Sequence, residues 1–103
     1  MKVPAARILV IDDNPQVVDL VVTCLHEAGY NAIGTLTGED GLKDFILFRP
    51  DLVVLDLALP GEMDGIKLLK RFHSINPTAR VVMLSGNIDP QLARRSLELG
   101  ALA

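Results

Sequence analysis

Three short apolar runs punctuate the chain: Ile8-Leu9-Val10-Ile11, Leu52-Val53-Val54-Leu55 and Val81-Val82-Met83-Leu84. Each is rich in β-branched or Leu side chains and shows no polar alternation. Runs of this kind fit strands buried on both faces, as in a parallel sheet covered from two sides. A weaker candidate, Tyr30 to Ile33, reads as an edge strand. The intervening segments carry helical spacing. Val17, Val18, Val21, Val22 and Leu25 share one wide face; Asn14 is placed to cap that helix, Pro15 suits its first turn, and Gly29 suits the left-handed position past its end. A second helix is predicted from Gly38 to Phe48, with Leu42, Phe45 and Ile46 inward and Pro50 beyond its end. A third runs from Gly65 to Ile75 through Ile66, Leu68, Leu69 and Phe72, stopping before Asn76-Pro77. Asp89-Pro90 opens a fourth, whose Leu92, Ala93, Leu97 and Leu99 make a face ending at Gly100.

The order β-α-β-α-β-α-β-α predicts an α/β domain over residues 1–103: a doubly wound parallel sheet with right-handed crossovers. At 103 residues and 50% hydrophobic content there is material for one core and not for two. Ten Lys and Arg against 13 Asp and Glu give a net charge of −3. With a pI near 5.2, this balance argues against a general nucleic-acid binder. The single cysteine, Cys24, excludes an internal disulfide and any multi-Cys metal site. No signal peptide and no bilayer-spanning apolar stretch is visible, so the chain reads as soluble and cytoplasmic. It stops directly after the fourth helical pattern. The apolar run at Val81 would then lie at an unprotected sheet edge, so the domain reads as cut short, lacking a last strand and helix. Apolar surface left open in this way predicts self-association.

The ends of the strands carry the chemistry. In an open α/β sheet, ligands gather at the C-terminal ends of the strands, where the strand order reverses. The first apolar run ends in Asp12-Asp13, the third strand in Asp56 and the fourth in Ser85. Neighbouring strands lie about 4.8 Å apart, which brings these carboxylates within reach of one ion. Close carboxylates repel unless a cation sits among them, and an all-oxygen set at an accessible rim suits Mg²⁺ or Mn²⁺. The plainer alternative makes Asp12 and Asp13 helix caps and Asp56 a chance strand ending.

Taken together, Ile8-Leu9-Val10-Ile11-Asp12-Asp13-Asn14, the segment from Pro50 through Asp56 to Gly65, and Val81-Val82-Met83-Leu84-Ser85-Gly86 resemble receiver domains of two-component response regulators. Leu99-Gly100-Ala101 resembles the family's approach to its fifth strand. The resemblance implies a flavodoxin-like receiver fold of strand order 2-1-3-4-5, with the first four strands present here. It implies Asp56 as phosphoacceptor, Asp13 as a direct metal ligand, Asp12 acting largely through water, and Ala58 completing the metal site with its backbone carbonyl. Ser85 would be the switch hydroxyl, while Pro60 and Gly65 shape the loop after the acceptor. It further implies a sensor histidine kinase or phosphotransfer protein as partner. Two departures accompany it. The stretch from Asp56 to Gly65 is one residue longer than the commonest family pattern, around Gly61-Glu62, and the Lys that ends the family's fifth strand has no counterpart before Ala103.

Other residues have plainer readings. His26 and His73 read as surface histidines without a second ligand at i+4, and Cys24 as a core or half-buried thiol. Arg94-Arg95 reads as a solvated helix face. The glycines at 38 and 41, and at 61 and 65, make no phosphate-binding P-loop, because no Gly-Lys-Ser/Thr follows a strand. Two functions compete with a phosphorylated switch. One is a receiver-like module that docks or dimerises without phosphate. The other is an aspartyl-nucleophile phosphatase, ranked last because that chemistry wants an acid where Ala58 stands. The chain is expected to be a phosphoacceptor and not an enzyme that turns over.

Overall fold

A computed structural model of the chain describes residues 5–83. Among them, four strands, β1 (Arg7–Ile11), β2 (Asn31–Thr35), β3 (Leu52–Leu55) and β4 (Val81–Met83), alternate with three helices, α1 (Pro15–Glu27), α2 (Gly38–Phe48) and α3 (Gly65–Ile75). The strands are parallel and lie in the order β2-β1-β3-β4, which is the flavodoxin-like order the resemblance implies. Leu84, Ser85 and the fourth helix predicted from Asp89 lie outside the described residues.

Local sequence explains the boundaries. Asn14 Oδ1 accepts the Gln16 N–H at 3.0 Å and Pro15 opens α1, so the cap and first turn are as predicted. Gly29 follows α1 at φ +93°, a conformation that penalises any side chain. Thr37 caps α2 through the Asp40 N–H, and Asp64 caps α3 through the Lys67 N–H. β2 begins and ends later than its apolar pattern predicts, because it continues through Gly34 and Thr35. A Cβ at Gly34 would collide with Val18 of α1, so the strand gives up a side chain to let the helix settle on it.

The helices cover both faces. α2 and α3 pack on one, where Leu9, Ile11, Val53 and Leu55 meet Phe45, Leu68, Leu69 and Phe72. The rings of Phe45 and Phe72 stack at 4.2 Å. α1 covers the other face, placing Val21, Val22 and Leu25 against Ile8, Val10 and Ala32. β1 is buried on both sides as expected, but Leu52 and Val54 of β3 are only half-buried. A helix is about 10–12 Å across with its side chains, whereas three gaps of about 4.8 Å separate four strands, so α1 alone cannot roof this face.

Three side chains depart from their sequence reading. Ile46 is 53% exposed and not inward, because the buried stripe of α2 runs through Gly38, Gly41 and Phe45 and leaves Ile46 on its flank. Cys24 is exposed, outside the Val18-Val22-Leu25 line that meets the sheet. His73 is half-buried and not on the surface: its Nε2 donates to the Ala79 carbonyl at 2.9 Å, tying the end of α3 to the approach to β4. His26, which is exposed, makes the same link from α1 to Ala32 of β2 at 2.7 Å.

Candidate functional site

Strand register brings the acids together. Ile11 pairs with Leu55 across the central β1–β3 ladder and with Thr35 across β1–β2. The ladder continues one step further, as the Asp56 N–H donates to Ile11 O at 2.9 Å and the Asp12 N–H to Thr35 O at 3.2 Å. Asp12 and Asp56 therefore leave the sheet side by side at its C-terminal rim, with Asp13 next in line. Carboxylate oxygens of Asp12, Asp13 and Asp56 lie within 4.8 Å of one another. Three of the predicted site residues thus converge. Ser85 lies outside the described residues.

The site is held by backbone donors. The Asn14 N–H donates to Asp12 Oδ1 at 2.9 Å, and the Ala58 N–H donates to Asp56 Oδ1 at 2.9 Å. Asp12 is 7% exposed and Asp56 9%, whereas Asp13 is open to solvent. Burial raises the Asp56 carboxyl above its ordinary value. The Ala58 N–H opposes that rise, while the negative charges of Asp12 and Asp13 and a hydrogen bond with Asp13 add to it. The helix-cap alternative fails on this geometry, since Asn14 supplies the cap of α1.

These residues fit a hard divalent cation. All three side chains offer oxygen, two of them are largely withdrawn from water, and among the described residues no Lys or Arg pairs with any of them. Lys67 is engaged elsewhere, its Nζ donating to Glu62 O at 3.0 Å. An oxygen-only acidic cluster with one open side is the donor set Mg²⁺ or Mn²⁺ takes while keeping waters.

The loop between β3 and α3 is anchored at several points. Leu57 and Leu59 are buried in the α2/α3 core, which leaves Ala58 exposed between them. Gly61 sits at φ +95°, so the longer crest turns at a residue without a side chain. Gly65 opens α3 hard against Leu57, where a Cβ would stand 2.7 Å from the Leu57 carbonyl oxygen. Sequence reasoning anticipated the geometric part of Gly65. It missed the amides of Asn14 and Ala58, because a backbone donor leaves no mark on residue type. It also missed Gly38, whose signal was a glycine at the first position of a helix.

Comparison with known proteins agrees with this arrangement. The model of the response regulator receiver domain matches residues 8–103. Sporulation initiation phosphotransferase F of Bacillus subtilis is 35% identical over 96 residues, covering 93% of this chain and 77% of that protein. The virulence factors putative positive transcription regulator BvgA of Bordetella pertussis is 38% identical over 96 residues, and the chain spans 46% of its length. Among solved structures, a CheY-like receiver domain protein from Methanospirillum hungatei superposes with a TM-score of 0.89 at 28% identity, over 96% of this chain and 78% of that one. A chain of the CheX–CheY–BeF₃–Mg²⁺ complex from Borrelia burgdorferi does so at 0.86 and 30% identity, over 94% of this chain and 74% of that one. The family match spans the apolar strands, the acid cluster and the loop that follows it: the chain belongs to the response regulator receiver domain family.

Proposed function

We propose that the chain is the phosphoacceptor of a cytoplasmic two-component pathway, taking a phosphoryl group onto Asp56 from a histidine kinase or phosphotransfer protein and changing conformation in response. The observation that carries this reading is the convergence of Asp12, Asp13 and Asp56 within 4.8 Å at the C-terminal rim of the two central strands. The names of the relatives support it, one being a phosphotransferase of sporulation and another a transcription regulator. Among the described residues no helix is long and apolar enough to cross a membrane.

An Asp56 carboxylate oxygen attacks phosphorus, the P–O bond to Asp56 forms, and the P–N bond of the donor phosphohistidine breaks as its imidazole leaves and takes a proton. Asp12, Asp13, Asp56 and the Ala58 carbonyl are the groups that would hold Mg²⁺ or Mn²⁺. Such a cation, when bound, supplies positive charge that lets an anionic nucleophile approach an anionic phosphoryl group. The Ala58 N–H orients Asp56 by holding Oδ1. Ser85 would hydrogen-bond the transferred group in this reading. The chain is then a switch that is consumed and reset, not an enzyme that turns over a substrate.

The test is intact-mass spectrometry after incubation with acetyl phosphate, in Mg²⁺ and in chelator, beside Asp56→Asn. The expected result is a single phosphoryl adduct that needs Mg²⁺ and is absent from the variant. An adduct of equal level and stability in Asp56→Asn would overturn the assignment.

A further inference from the structure

The glycines at 38, 41, 61 and 65 belong to no phosphate-binding motif, and the structure gives Gly38, Gly61 and Gly65 tasks at the same loop. Gly38 is the first residue of α2 and is buried. Its φ is not positive, so no conformational demand excludes a side chain. Space does. A Cβ built there would collide with the carbonyl oxygen of Met63 and would stand 2.8 Å from Met63 Cγ. One turn on, a Cβ at Gly41 would stand 2.8 Å from Ile11 Cδ1, on the residue before Asp12. The first turn of α2 therefore closes directly on both flanks of the acid cluster: the end of β1 and the loop that leaves Asp56.

That loop is a short lever. It runs from Leu57, locked by Gly65, through the exposed Ala58, past Glu62, whose carbonyl is held by Lys67, to Met63 against Gly38. Within it, Ala58 donates to Asp56 and offers the carbonyl assigned to the cation. Met63 is thus the far end of the segment that presents Ala58, and Gly38 is what it rests against.

We infer that Gly38 is a positioning residue for the acid site: by admitting the Met63 backbone against α2, it fixes the loop that aims Ala58 at Asp56 and so sets the affinity for a divalent cation. The cation half of this inference rests on the phosphoacceptor reading, whereas the Ala58–Asp56 half does not.

The experiment compares Gly38→Ala with Gly29→Ala in the whole chain. Alanine is a better helix former than glycine, so a harmful Gly38→Ala acts through the Met63 contact and not through α2 itself. Gly29→Ala strains a positive-φ turn at the opposite end of the strands, with no atom near its Cβ, and serves as the destabilised control. Two readouts are taken: the Ala58 amide resonance by ¹H–¹⁵N NMR in chelator, and Mn²⁺ affinity from the electron paramagnetic resonance signal of free Mn²⁺. Gly38→Ala is expected to shift the Ala58 amide and weaken Mn²⁺ binding by about tenfold, the scale of losing a group that orients a metal ligand. Gly29→Ala is expected to lower the melting temperature and change neither readout. Met63→Ala, which removes the side-chain half of the contact, is expected to shift the same amide by a smaller amount and decides the matter if Gly38→Ala does not fold. An unmoved Ala58 amide, or an equal effect from Gly29→Ala, overturns the inference alone. A wild-type chain that binds no Mn²⁺ overturns the phosphoacceptor reading together with the affinity half, leaving the Ala58 shift as the measure of the rest.

Discussion

Asp56 is a carboxyl placed where its ionised form is disfavoured by burial and by two like charges. Its value in the folded chain is raised above that of the unfolded chain, so ionised Asp56 costs stability. That cost is full above the raised folded value and fades as pH falls through it toward the ordinary carboxylate range. In chelator, Asp56→Asn should therefore melt above the wild type at neutral pH, with the gap closing on acidification to about pH 4. Saturating Mg²⁺ should reverse the order, because the wild type gains a bound ligand that the variant holds less well. Scanning fluorimetry with an extrinsic dye at several pH values, with and without Mg²⁺, checks both signs. A wild type that melts above Asp56→Asn in chelator at pH 7 would mean that the cluster is relieved by something other than a cation.

Each helix owes its start to one side chain. Asp64 closes the loop after Asp56 and caps α3 by accepting the Lys67 N–H at 2.9 Å, so Asp64→Ala should cost about 1 kcal/mol in urea denaturation. The same change at Asn14 should cost a similar amount through α1. The two variants should diverge at the site, because Asp64 terminates the loop that carries Ala58. These caps were legible at Asn14 and missed at Thr37 and Asp64, which sit among other polar residues with no apolar run to mark the boundary. The central strands were legible because burial on two faces leaves an unbroken apolar signature. β2 was blurred because Gly34 is chosen by its contact with Val18, a tertiary demand that local pattern does not encode. The acids were legible through their places at strand ends. Their donors were not, since backbone amides are common to every residue. Ile46 and His73 were misplaced for a related reason: which flank of a helix is covered depends on the segments packed beside it, for His73 the approach to β4, and not on the helix's own periodicity.

At the scale of the whole sheet, the larger buried cluster among the described residues lies on the α2/α3 side. Phe72 is fully buried between Phe45 and the strands, and Phe72→Ala should cost about 3–5 kcal/mol. Against a total of about 5–15 kcal/mol for a domain, that is a large share of the folding stability, which a urea titration would show as a lowered midpoint. Leu20, exposed on α1, offers the contrast, since truncating it to Ala should change stability by less than about 0.5 kcal/mol.

The pairing of β1 with β3 joins residues 44 apart in sequence, Ile8 with Leu52 through Ile11 with Leu55. Until those strands dock, Asp12 and Asp56 are strangers in an open chain and their repulsion does not exist. It arises at the moment the centre of the sheet assembles, so the acids oppose the event that creates the site. Neutralising one of them consequently works as a clock. In stopped-flow refolding, Asp12→Asn speeds the folding arm to the extent that this pairing is already made at the transition state, and otherwise slows only the unfolding arm. The residues of the acid site thus also time-stamp the making of the sheet that bears them.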